Sequence, residues 1–156
     1  MENAFLKSIN EQQKIIYKVC RIYRDSREDQ EDLFQEIVYQ LWKSYPSFKG
    51  DSKISSWMYR IALNTAMAAY RKRRAPIDYV EEFPEPIHPY TESTVPENQE
   101  RLFSIFRHLN DSEKALVSLY LEDFSYLEIA EITGISESNV GVRLNRIKNK
   151  LKELIN

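Results

Sequence analysis

The sequence predicts an all-α protein made of two small helical domains joined by an acidic, proline-rich linker. The 156 residues include only three Gly and six Pro, which argues against an all-β fold rich in turns. Apolar residues recur at helical spacing in both halves of the chain. Five of the six prolines and six acidic residues, without any Lys or Arg, fall within residues 76–99.

Residues 76–99 are predicted to form a flexible linker, because proline disfavours helix and like charges repel one another along the chain. The linker separates an N-terminal domain at 1–75 from a C-terminal domain at 100–156, the second of which is predicted to be a helix-turn-helix. The formal net charge of −2 hides a segregation of charge, since residues 48–74 carry seven Lys and Arg against one Asp. The acidity is concentrated in the linker, where it does not oppose binding of nucleic acid by the domains.

Composition and motif content exclude several classes of protein. The single cysteine, Cys20, excludes an internal disulfide framework and suggests a reducing compartment. We expect neither an export signal nor a membrane span, because no stretch approaches the roughly eighteen apolar residues of a membrane helix. The protein is therefore expected to be soluble and cytoplasmic. Cys20, His88 and His108 form no nucleophile–base pair or metal-ligand spacing, so we expect no enzymatic activity, catalytic residue, metal or cofactor.

Three helices are predicted in the N-terminal domain, over 10–24, 29–43 and 57–74. The apolar stripe of the first consists of Ile15, Ile16, Val19, Cys20 and Tyr23. The apolar side of the second consists of Leu33, Phe34, Ile37, Val38, Leu41 and Trp42. Its polar side consists of Asp32, Gln35, Glu36, Tyr39, Gln40 and Lys43. For an isolated amphipathic helix, such a polar side is most simply a solvated surface.

The third helix has an outward stripe and a core-facing stripe. The outward stripe consists of Arg60, Asn64, Met67, Arg71 and Arg74. The core-facing stripe consists of Met58, Ile61, Ala62, Thr65, Ala66 and Ala69. The preceding loop, within "SYPSFKGDSKISSWMYR", is rich in hydroxyl groups and aromatic rings, and the helix ends in four consecutive basic residues. Although a basic helix terminus alone is most often solvated, the combination indicates binding of single-stranded nucleic acid, in which bases stack on aromatic rings and cations follow phosphates.

The C-terminal domain begins with a capped helix in "LNDSEKALVSLYLEDF". Asp111 or Ser112 is predicted to be its N-cap, and Leu116, Leu119 and Tyr120 are predicted to face inward.

Two further helices are predicted to form the helix-turn-helix. The first begins at a capping box made by Ser125 and Glu128. Gly134 then makes a tight turn, and Ser136 caps the last helix. The spacing of Ala130, Gly134 and Val140 resembles the packing triad of DNA-binding helix-turn-helix units.

The last helix is predicted to have a core-facing side and an outward side that contacts DNA. The inward side consists of Val140, Leu144, Ile147, Leu151 and Leu154. The outward side, suited to base edges and phosphates, consists of Ser138, Asn139, Val142, Arg143, Asn145, Arg146 and Asn149. Gly141 costs about 1 kcal/mol inside a helix, which makes sense if the backbone closely approaches DNA or a partner. Val142 is placed to touch a thymine methyl group.

Together the two halves resemble the extracytoplasmic-function (ECF) sigma factors of bacterial RNA polymerase, within the sigma-70 family. The stretches that carry the resemblance are "EDLFQEIVYQLW", "FKGDSKISSWMYRIALNTA" followed by "YRKRR", and "SYLEIAEITGISESNVGVRLNRIKNKL". They are similar to region two and region four of the family, in the family's order. The resemblance implies that 1–75 binds core polymerase and the minus-ten element, and that 100–156 binds the minus-thirty-five element, in a minimal type without an extra C-terminal domain.

The resemblance also implies roles for individual residues. The polar side of the second helix would dock on the clamp helices of the polymerase's largest subunit, through Asp32, Gln35, Glu36, Tyr39 and Gln40. The following loop would capture a base flipped out of the minus-ten element, with contacts from Phe48, Lys49, Asp51, Ser52, Lys53 and Ser55. The upstream edge of that element would be contacted by Asn64 with Arg60, Met67 and Arg71 beside it. The outward side of the last helix would contact the minus-thirty-five element.

The function implied by the resemblance is that of a promoter-specificity subunit that recognises and melts promoter DNA together with core RNA polymerase. The acidic linker would thread the basic active-site and RNA-exit channels, and an anti-sigma protein is an expected further partner. Where the family usually has a basic residue and then Ser, this chain has Gly141 and Val142, so Asn145 and Arg146 become the better candidates for specificity. The alternative is a stand-alone helix-turn-helix transcriptional regulator, which leaves the N-terminal surfaces without a purpose.

Overall fold

The computed structural model of the chain describes residues 2–50, 53–71 and 97–155. These residues belong to two compact units, which lie within Met1–Ser93 and Thr94–Asn156. All regular structure in the described residues is helical, so the predicted all-α fold with two domains is confirmed. None of the helices in these ranges is long and apolar enough to cross a membrane.

The described residues of the first unit form four α-helices. These are α1 (Glu2–Glu11), α2 (Gln13–Tyr23), α3 (Arg27–Ser44) and α4 (Ile54–Arg71), with a 3₁₀ turn at Tyr45–Ser47 after α3. Helices α2, α3 and α4 pack against one another in pairs. Their apolar sides therefore meet in one core.

The core of the first unit is built from the apolar stripes that the sequence predicts. Its most deeply buried side chains, all at most 1% exposed, include Ile16, Val19, Cys20, Phe34, Ile37, Leu41, Met58, Ala62 and Ala66. Helix α4 also buries Tyr59 and Leu63, each 2% exposed, which lie outside its predicted stripe. Because α4 packs on both α2 and α3, it buries a wider side than a helix with a single neighbour.

The Cys20 thiol is a core side chain, as predicted, and is 1% exposed. Burial raises the pKa of Cys20 to about 12, and the nearby positive charge of Arg24 offsets only a part of this rise. The thiol is therefore neutral at physiological pH. Since the ordinary pKa is 9.0, the Cys20 contribution to folding is present below pH 9 and is lost as the pH rises toward 12.

The helix predicted over 10–24 is wrong at its beginning, because the helical conformation is interrupted at Gln12. Gln12 leaves the helical conformation at φ −113° and ψ 19°, between the end of α1 and the beginning of α2. Helix α1 has no counterpart among the predicted helices, although its Phe5 and Ile9 are fully buried. Neither Gly nor Pro marks the junction in the sequence, so the usual signals of a helix end are missing there.

Helix α4 begins at Ile54, three residues before its predicted start. Ser55 and Ser56 therefore lie in its first turn rather than in the loop. The backbone N–H of Trp57 donates to the carbonyl of Lys53 at 3.1 Å, which closes that turn. Small hydroxyl residues are common both in loops and at the beginning of helices, so their presence did not distinguish the two. The predicted end at Arg74 lies outside the described residues.

The described residues of the second unit also form four α-helices. They are α5 (Glu97–Phe106), α6 (Asp111–Leu121), α7 (Tyr126–Thr133) and α8 (Glu137–Ile155). Helices α6, α7 and α8 pack against one another in pairs. Their shared core includes Leu116, Leu119, Ile129, Val140, Leu144 and Ile147, all at most 2% exposed.

The sequence patterns do not predict helix α5, whose first three residues, 97–99, fall within the predicted linker. Phe106 at its end and Leu109 just after it are 3% and 5% exposed, so this segment packs into the second unit. The acidic character of 97–100 made the beginning of α5 resemble the preceding linker. The rest of the predicted linker, residues 76–96, lies outside the described part of the chain.

Two residues predicted to face inward in the second unit are exposed. Tyr120 is 37% exposed, because it lies in the last turn of α6 with its ring against the Lys148 ammonium rather than in the core. Leu154 is 50% exposed. It lies one turn beyond Lys150, which already pairs with Glu113 near the start of α6. The apolar stripe of α8 therefore continues in sequence beyond the partners that bury it.

The N-cap of α6 is Asn110, so the predicted cap at Asp111 or Ser112 is wrong. Asn110 Oδ1 accepts from the Glu113 N–H, and Glu113 Oε1 accepts from the Asn110 N–H, each at 2.9 Å. A capping box needs Glu or Gln three residues after the cap, a requirement that Asn110 meets and the other two do not. The predicted box of α7 is confirmed, with Ser125 and Glu128 bonded in the same way at 3.1 and 3.0 Å.

Replacement of the cap of α6 tests this assignment. We expect Asn110→Ala to lower the free energy of unfolding of the second unit by about 1 kcal/mol, because the Glu113 N–H loses its acceptor. The matched change Ser112→Ala, two residues further along the chain, is expected to leave the free energy of unfolding within about 0.5 kcal/mol of the parent value. Hydrogen exchange of α6 amides in the intact chain measures both variants. Equal effects of the two changes would contradict the assignment of Asn110.

Candidate nucleic-acid interface

Helices α7 and α8 form the helix-turn-helix that the sequence predicts. Gly134 ends α7 in the left-handed region, at φ 79° and ψ 8°, which favours glycine. Its N–H donates to the Ala130 carbonyl at 2.8 Å, which closes the last turn. Ser136 Oγ then accepts from the Asn139 N–H at 3.3 Å and caps α8, as predicted. The short connection holds α8 at a fixed angle to α7.

Helix α8 has one buried side and one exposed side. Val140, Leu144 and Ile147 are 0%, 1% and 2% exposed. The seven residues predicted to contact DNA are all exposed, namely Ser138, Asn139, Val142, Arg143, Asn145, Arg146 and Asn149. Among them Val142 is apolar and yet 48% exposed. The structure therefore brings these seven side chains together on one accessible helix side.

Gly141 lies against a side chain of the protein itself, and the close approach of DNA or a partner at this position stays a prediction. A Cβ atom at this position would lie 3.3 Å from Cε2 and 3.6 Å from Cδ2 of Tyr126. The absence of a side chain therefore lets the Tyr126 ring lie against the backbone of α8. Tyr126 itself is 38% exposed, so this ring borders the exposed side of the helix.

Two lysines that belong to no predicted site connect α8 to α6. Lys148 Nζ donates to the Tyr120 hydroxyl at 3.1 Å and lies 4.3 Å from the centre of its ring. The hydrogen bond that Lys148 donates to Tyr120 raises the pKa of the Lys148 ammonium above its ordinary value. Lys150 pairs with Glu113 at 3.1 Å. These partners are 28 and 37 residues apart, so no local pattern could have revealed them.

The polar side of α3 is partly enclosed. Asp32 and Gln35 are exposed, whereas Glu36, Tyr39 and Gln40 are half-buried. Gln40 Nε2 donates to Glu36 Oε1 at 3.3 Å, one helical turn away. All five residues predicted to contact core polymerase therefore lie along one side of a helix whose other side is in the core.

The residues predicted to capture a base lie between α3 and the first turn of α4. Phe48 and Ser55 are half-buried, and Lys49 and Lys53 are exposed. The Phe48 ring lies 4.9 Å from that of Trp57, at an interplanar angle of 36°. Two exposed cations therefore lie close in sequence to this aromatic pair. The other two predicted residues, Asp51 and Ser52, lie outside the described residues.

The outward stripe predicted on α4 is described in part, because the Arg71 side chain and Arg74 lie outside the described residues. Arg60 and Asn64 are exposed and Met67 is half-buried on the next turn. Arg71 is the last residue of α4, and its side chain lies outside the described part. Arg24, which no sequence motif singles out, donates from its guanidinium to the Ala66 carbonyl of α4 at 3.1 Å. This bond ties the end of α2 to the turn of α4 that carries Asn64 and Met67.

Within the described ranges, no group of three or more His, Cys, Asp or Glu side chains is placed to hold a metal ion.

Two models of protein families match the chain, and both describe sigma-70 regions. The model of sigma-70 region 2 matches residues 9–75, and the model of sigma-70 region 4 matches residues 99–151. The ECF RNA polymerase sigma-E factor of Haemophilus influenzae is 33% identical over 148 residues, which cover 83% of this chain and 78% of that protein. The ECF RNA polymerase sigma factor SigG of Mycobacterium tuberculosis is 27% identical over 161 residues, which cover 85% of this chain. The chain spans only 44% of the length of SigG.

A solved structure has the same fold. The sigma factor RpoE of Bartonella quintana, in complex with the anti-sigma factor NepR, superimposes with a TM-score of 0.73 at 21% identity, covering 97% of this chain and 96% of that one. The fold is thus that of a two-domain helical protein with a helix-turn-helix. The chain belongs to the sigma-70 family of RNA polymerase sigma factors, within its extracytoplasmic-function group. Sigma factors are regulatory proteins.

The two glycines of the helix-turn-helix are expected to respond oppositely to alanine. Gly141→Ala should raise the free energy of unfolding of the second unit by up to about 1 kcal/mol, because alanine favours helix and the exposed Tyr126 ring is free to shift. Gly134→Ala should lower it by about 1–2 kcal/mol, because φ is +79° there. Thermal unfolding and hydrogen exchange of the second unit each measure both changes in stability. A loss of stability in Gly141→Ala as large as in Gly134→Ala would mean that the Tyr126 ring is fixed in place.

Proposed function

We propose that this chain is a promoter-specificity subunit of bacterial RNA polymerase, which acts in the cytoplasm and has no enzymatic activity of its own. It binds core polymerase, recognises and melts promoter DNA, and so initiates transcription. The observation that carries the proposal is the exposed side of α8, in a chain whose two halves both match sigma-70 regions.

The exposed side of α8 has the chemistry of a major-groove contact. Residues 138–149 extend over roughly 17 Å of helix, about the length of five base steps. Arg143 and Arg146 are suited to guanine or phosphate, Asn145 and Asn149 to adenine, and the exposed Val142 to a thymine methyl group. Because Gly141 has no side chain to contact DNA, base specificity in the minus-thirty-five element rests on Asn145 and Arg146.

The first unit supplies the contacts to the minus-ten element. The Phe48 ring and the exposed Lys49 and Lys53 combine stacking with positive charge, which favours an unpaired base and its phosphates. Capture of a flipped base stabilises melted DNA, because unstacking otherwise costs a few kcal/mol. Asn64 and Arg60, exposed on α4, contact the upstream edge of the element. The roles of Asp51, Ser52, Ser55, Met67 and Arg71 remain predictions from the sequence.

The polar side of α3 docks on core polymerase. It presents the carboxylates of Asp32 and Glu36 with neutral hydrogen-bonding groups around them, on a helix whose opposite side is fixed in the core. A rigid helix side with partly enclosed polar groups is suited to a specific protein contact, because little side-chain freedom is lost on binding.

The proposal also names a second class of partner and a role for the linker. The Bartonella quintana sigma factor of the same fold was solved with an anti-sigma factor, and we infer that this chain is held inactive by a protein of that class. The acidic segment, residues 76–96, occupies the basic channels of the polymerase in the path of RNA. Negative charge there complements the polymerase without weakening the contacts of either unit with DNA.

Transcription with purified bacterial core polymerase tests the function. The template is a library of random upstream sequences, and the reaction is run with and without the chain. We expect start sites that depend on the chain and share two spaced sequence elements. The absence of such transcription, together with tight sequence-specific binding of the chain alone to duplex DNA, would instead identify a stand-alone helix-turn-helix regulator.

Two substitutions are expected to separate the roles of α4 and α3. Asn64→Ala should reduce transcription from the selected promoter by about tenfold, equivalent to about 1.4 kcal/mol, with unchanged affinity for core polymerase. Glu36→Lys should weaken core binding by at least about tenfold, because it reverses a charge at the docking side. Fluorescence anisotropy measures core binding, and run-off transcription measures promoter use.

Matched controls for these variants are available on α1. Asn10→Ala and Glu11→Lys make the same chemical changes at exposed positions outside the proposed contacts. Both are expected to behave as the parent. If Asn64→Ala and Glu36→Lys also did so, the residue assignments on α4 and α3 would be wrong even with the function correct.

A further inference from the structure

Five aromatic rings form a connected series in the first unit, which we call the aromatic chain: Phe5, Trp42, Tyr45, Trp57 and Phe48. The Phe5 ring meets Trp42 and Tyr45 edge-to-face, with centroids 5.0 and 5.3 Å apart. Tyr45 meets Trp57 in the same manner at 6.1 Å, and Trp57 lies against Phe48 at 4.9 Å. The series therefore extends from α1 to the segment proposed to capture a base.

One end of the aromatic chain is immobilised and the other is accessible. Phe5 is fully buried, whereas Tyr45, Trp57 and Phe48 are half-buried. Edge-to-face contacts depend on ring orientation as well as on burial. Each ring of the series thus restricts the orientation of the next, beginning at a position fixed in the core.

Tyr45 occupies the centre of this arrangement. Its ring lies between Phe5 and Trp57. Its carbonyl also accepts from the Phe48 N–H at 3.0 Å, at the end of the 3₁₀ turn. Tyr45 is therefore connected to Phe48 by two routes, one through the backbone and one through the Trp57 ring.

We propose that Tyr45 is a positioning residue for promoter opening, which orients Trp57 and Phe48 so that they can stack with the captured base. This inference rests on the proposed function and deepens it. A site that binds a flat base needs its aromatic surfaces held before the base arrives, and the residues behind the contact provide this. Lys49 and Lys53, which are exposed and close in sequence to the two rings, supply the positive charge for the phosphates of the captured strand.

Helix α1 takes part in the aromatic chain and thereby has a role in base capture. Its Phe5 is the buried end of the aromatic chain, so α1 forms the rigid support behind the Trp57 and Phe48 rings. Helices α2, α3 and α4 also pack against one another through buried aliphatic side chains that are not members of the aromatic chain. A defect in the aromatic chain is therefore expected to alter base capture more than it alters the folding of the unit.

The test compares Tyr45→Leu, which removes the ring, with Tyr45→Phe, which keeps it. Each variant is assembled with core polymerase on a selected promoter with 2-aminopurine in the minus-ten element, and the rate of opening is measured by fluorescence. We expect Tyr45→Leu to open the promoter about five- to tenfold more slowly, with unchanged affinity for core polymerase. Tyr45→Phe should stay within about twofold of the parent, since both ring contacts are preserved.

Tryptophan emission provides a second readout that a merely structural role would not change. The protein has two tryptophans, Trp42 and Trp57, and both belong to the aromatic chain. In a Trp42→Phe background, Trp57 alone reports on a single-stranded minus-ten oligonucleotide. We expect quenching on binding, which Tyr45→Leu reduces and Tyr45→Phe preserves. Ile37→Val, a small change at a fully buried position of α3, controls for general destabilisation.

The outcomes separate the inference from the function on which it rests. Opening by the parent and by Tyr45→Phe, with slow opening and weak quenching in Tyr45→Leu, supports the positioning role. If Tyr45→Leu opened the promoter as fast as Tyr45→Phe, or lost activity only to the extent that Ile37→Val does, the inference would be overturned and the proposed function would stand. If the parent itself did not open any promoter with core polymerase, both would fall.

Discussion

The burial of one side of each helix is the constraint on which the candidate interfaces depend. In α8, Val140, Leu144 and Ile147 are inserted against α6 and α7, and this insertion fixes the rotation of the helix about its axis. The seven candidate DNA contacts occupy the side that remains, so their direction follows from the core rather than from any interaction of their own. Helices α3 and α4 obey the same constraint in the first unit, where the core turns the polar side of α3 and the Arg60–Asn64 stripe outward.

The distribution of charge explains how a chain with a formal net charge of −2 is compatible with the proposed binding of DNA. Long-range attraction depends on the local field of each surface, and screening by salt limits the influence of distant charges to about 10 Å. The negative charges of residues 76–97 are concentrated in one segment of the sequence. The exposed side of α8 carries Arg143 and Arg146, and the segment before α4 carries Lys49 and Lys53. Local charge, rather than net charge, is therefore the relevant quantity.

Local patterns predicted the fold well where a structural element depends on neighbours in sequence. The apolar side of α3 and the Ser125–Glu128 box require only helical spacing, and both were found as predicted. The break at Gln12 was missed because no Gly or Pro marks it, and α5 was missed because its first turn is acidic like the linker. Asn110 was recoverable from the sequence, since Glu113 three residues later completes its capping box.

The sequence by itself determined the helical periodicity, the caps, the helix-turn-helix and the two sigma-70 regions, because these are properties of residues close together in the chain. Only the tertiary structure decided which apolar residues lie beyond the core, as Leu154 does. It also decided that Tyr126 occupies the space at Gly141 and that Lys148 bonds with Tyr120. These contacts join residues 15 to 28 positions apart, and their geometry depends on how whole helices pack, which local spacing does not specify.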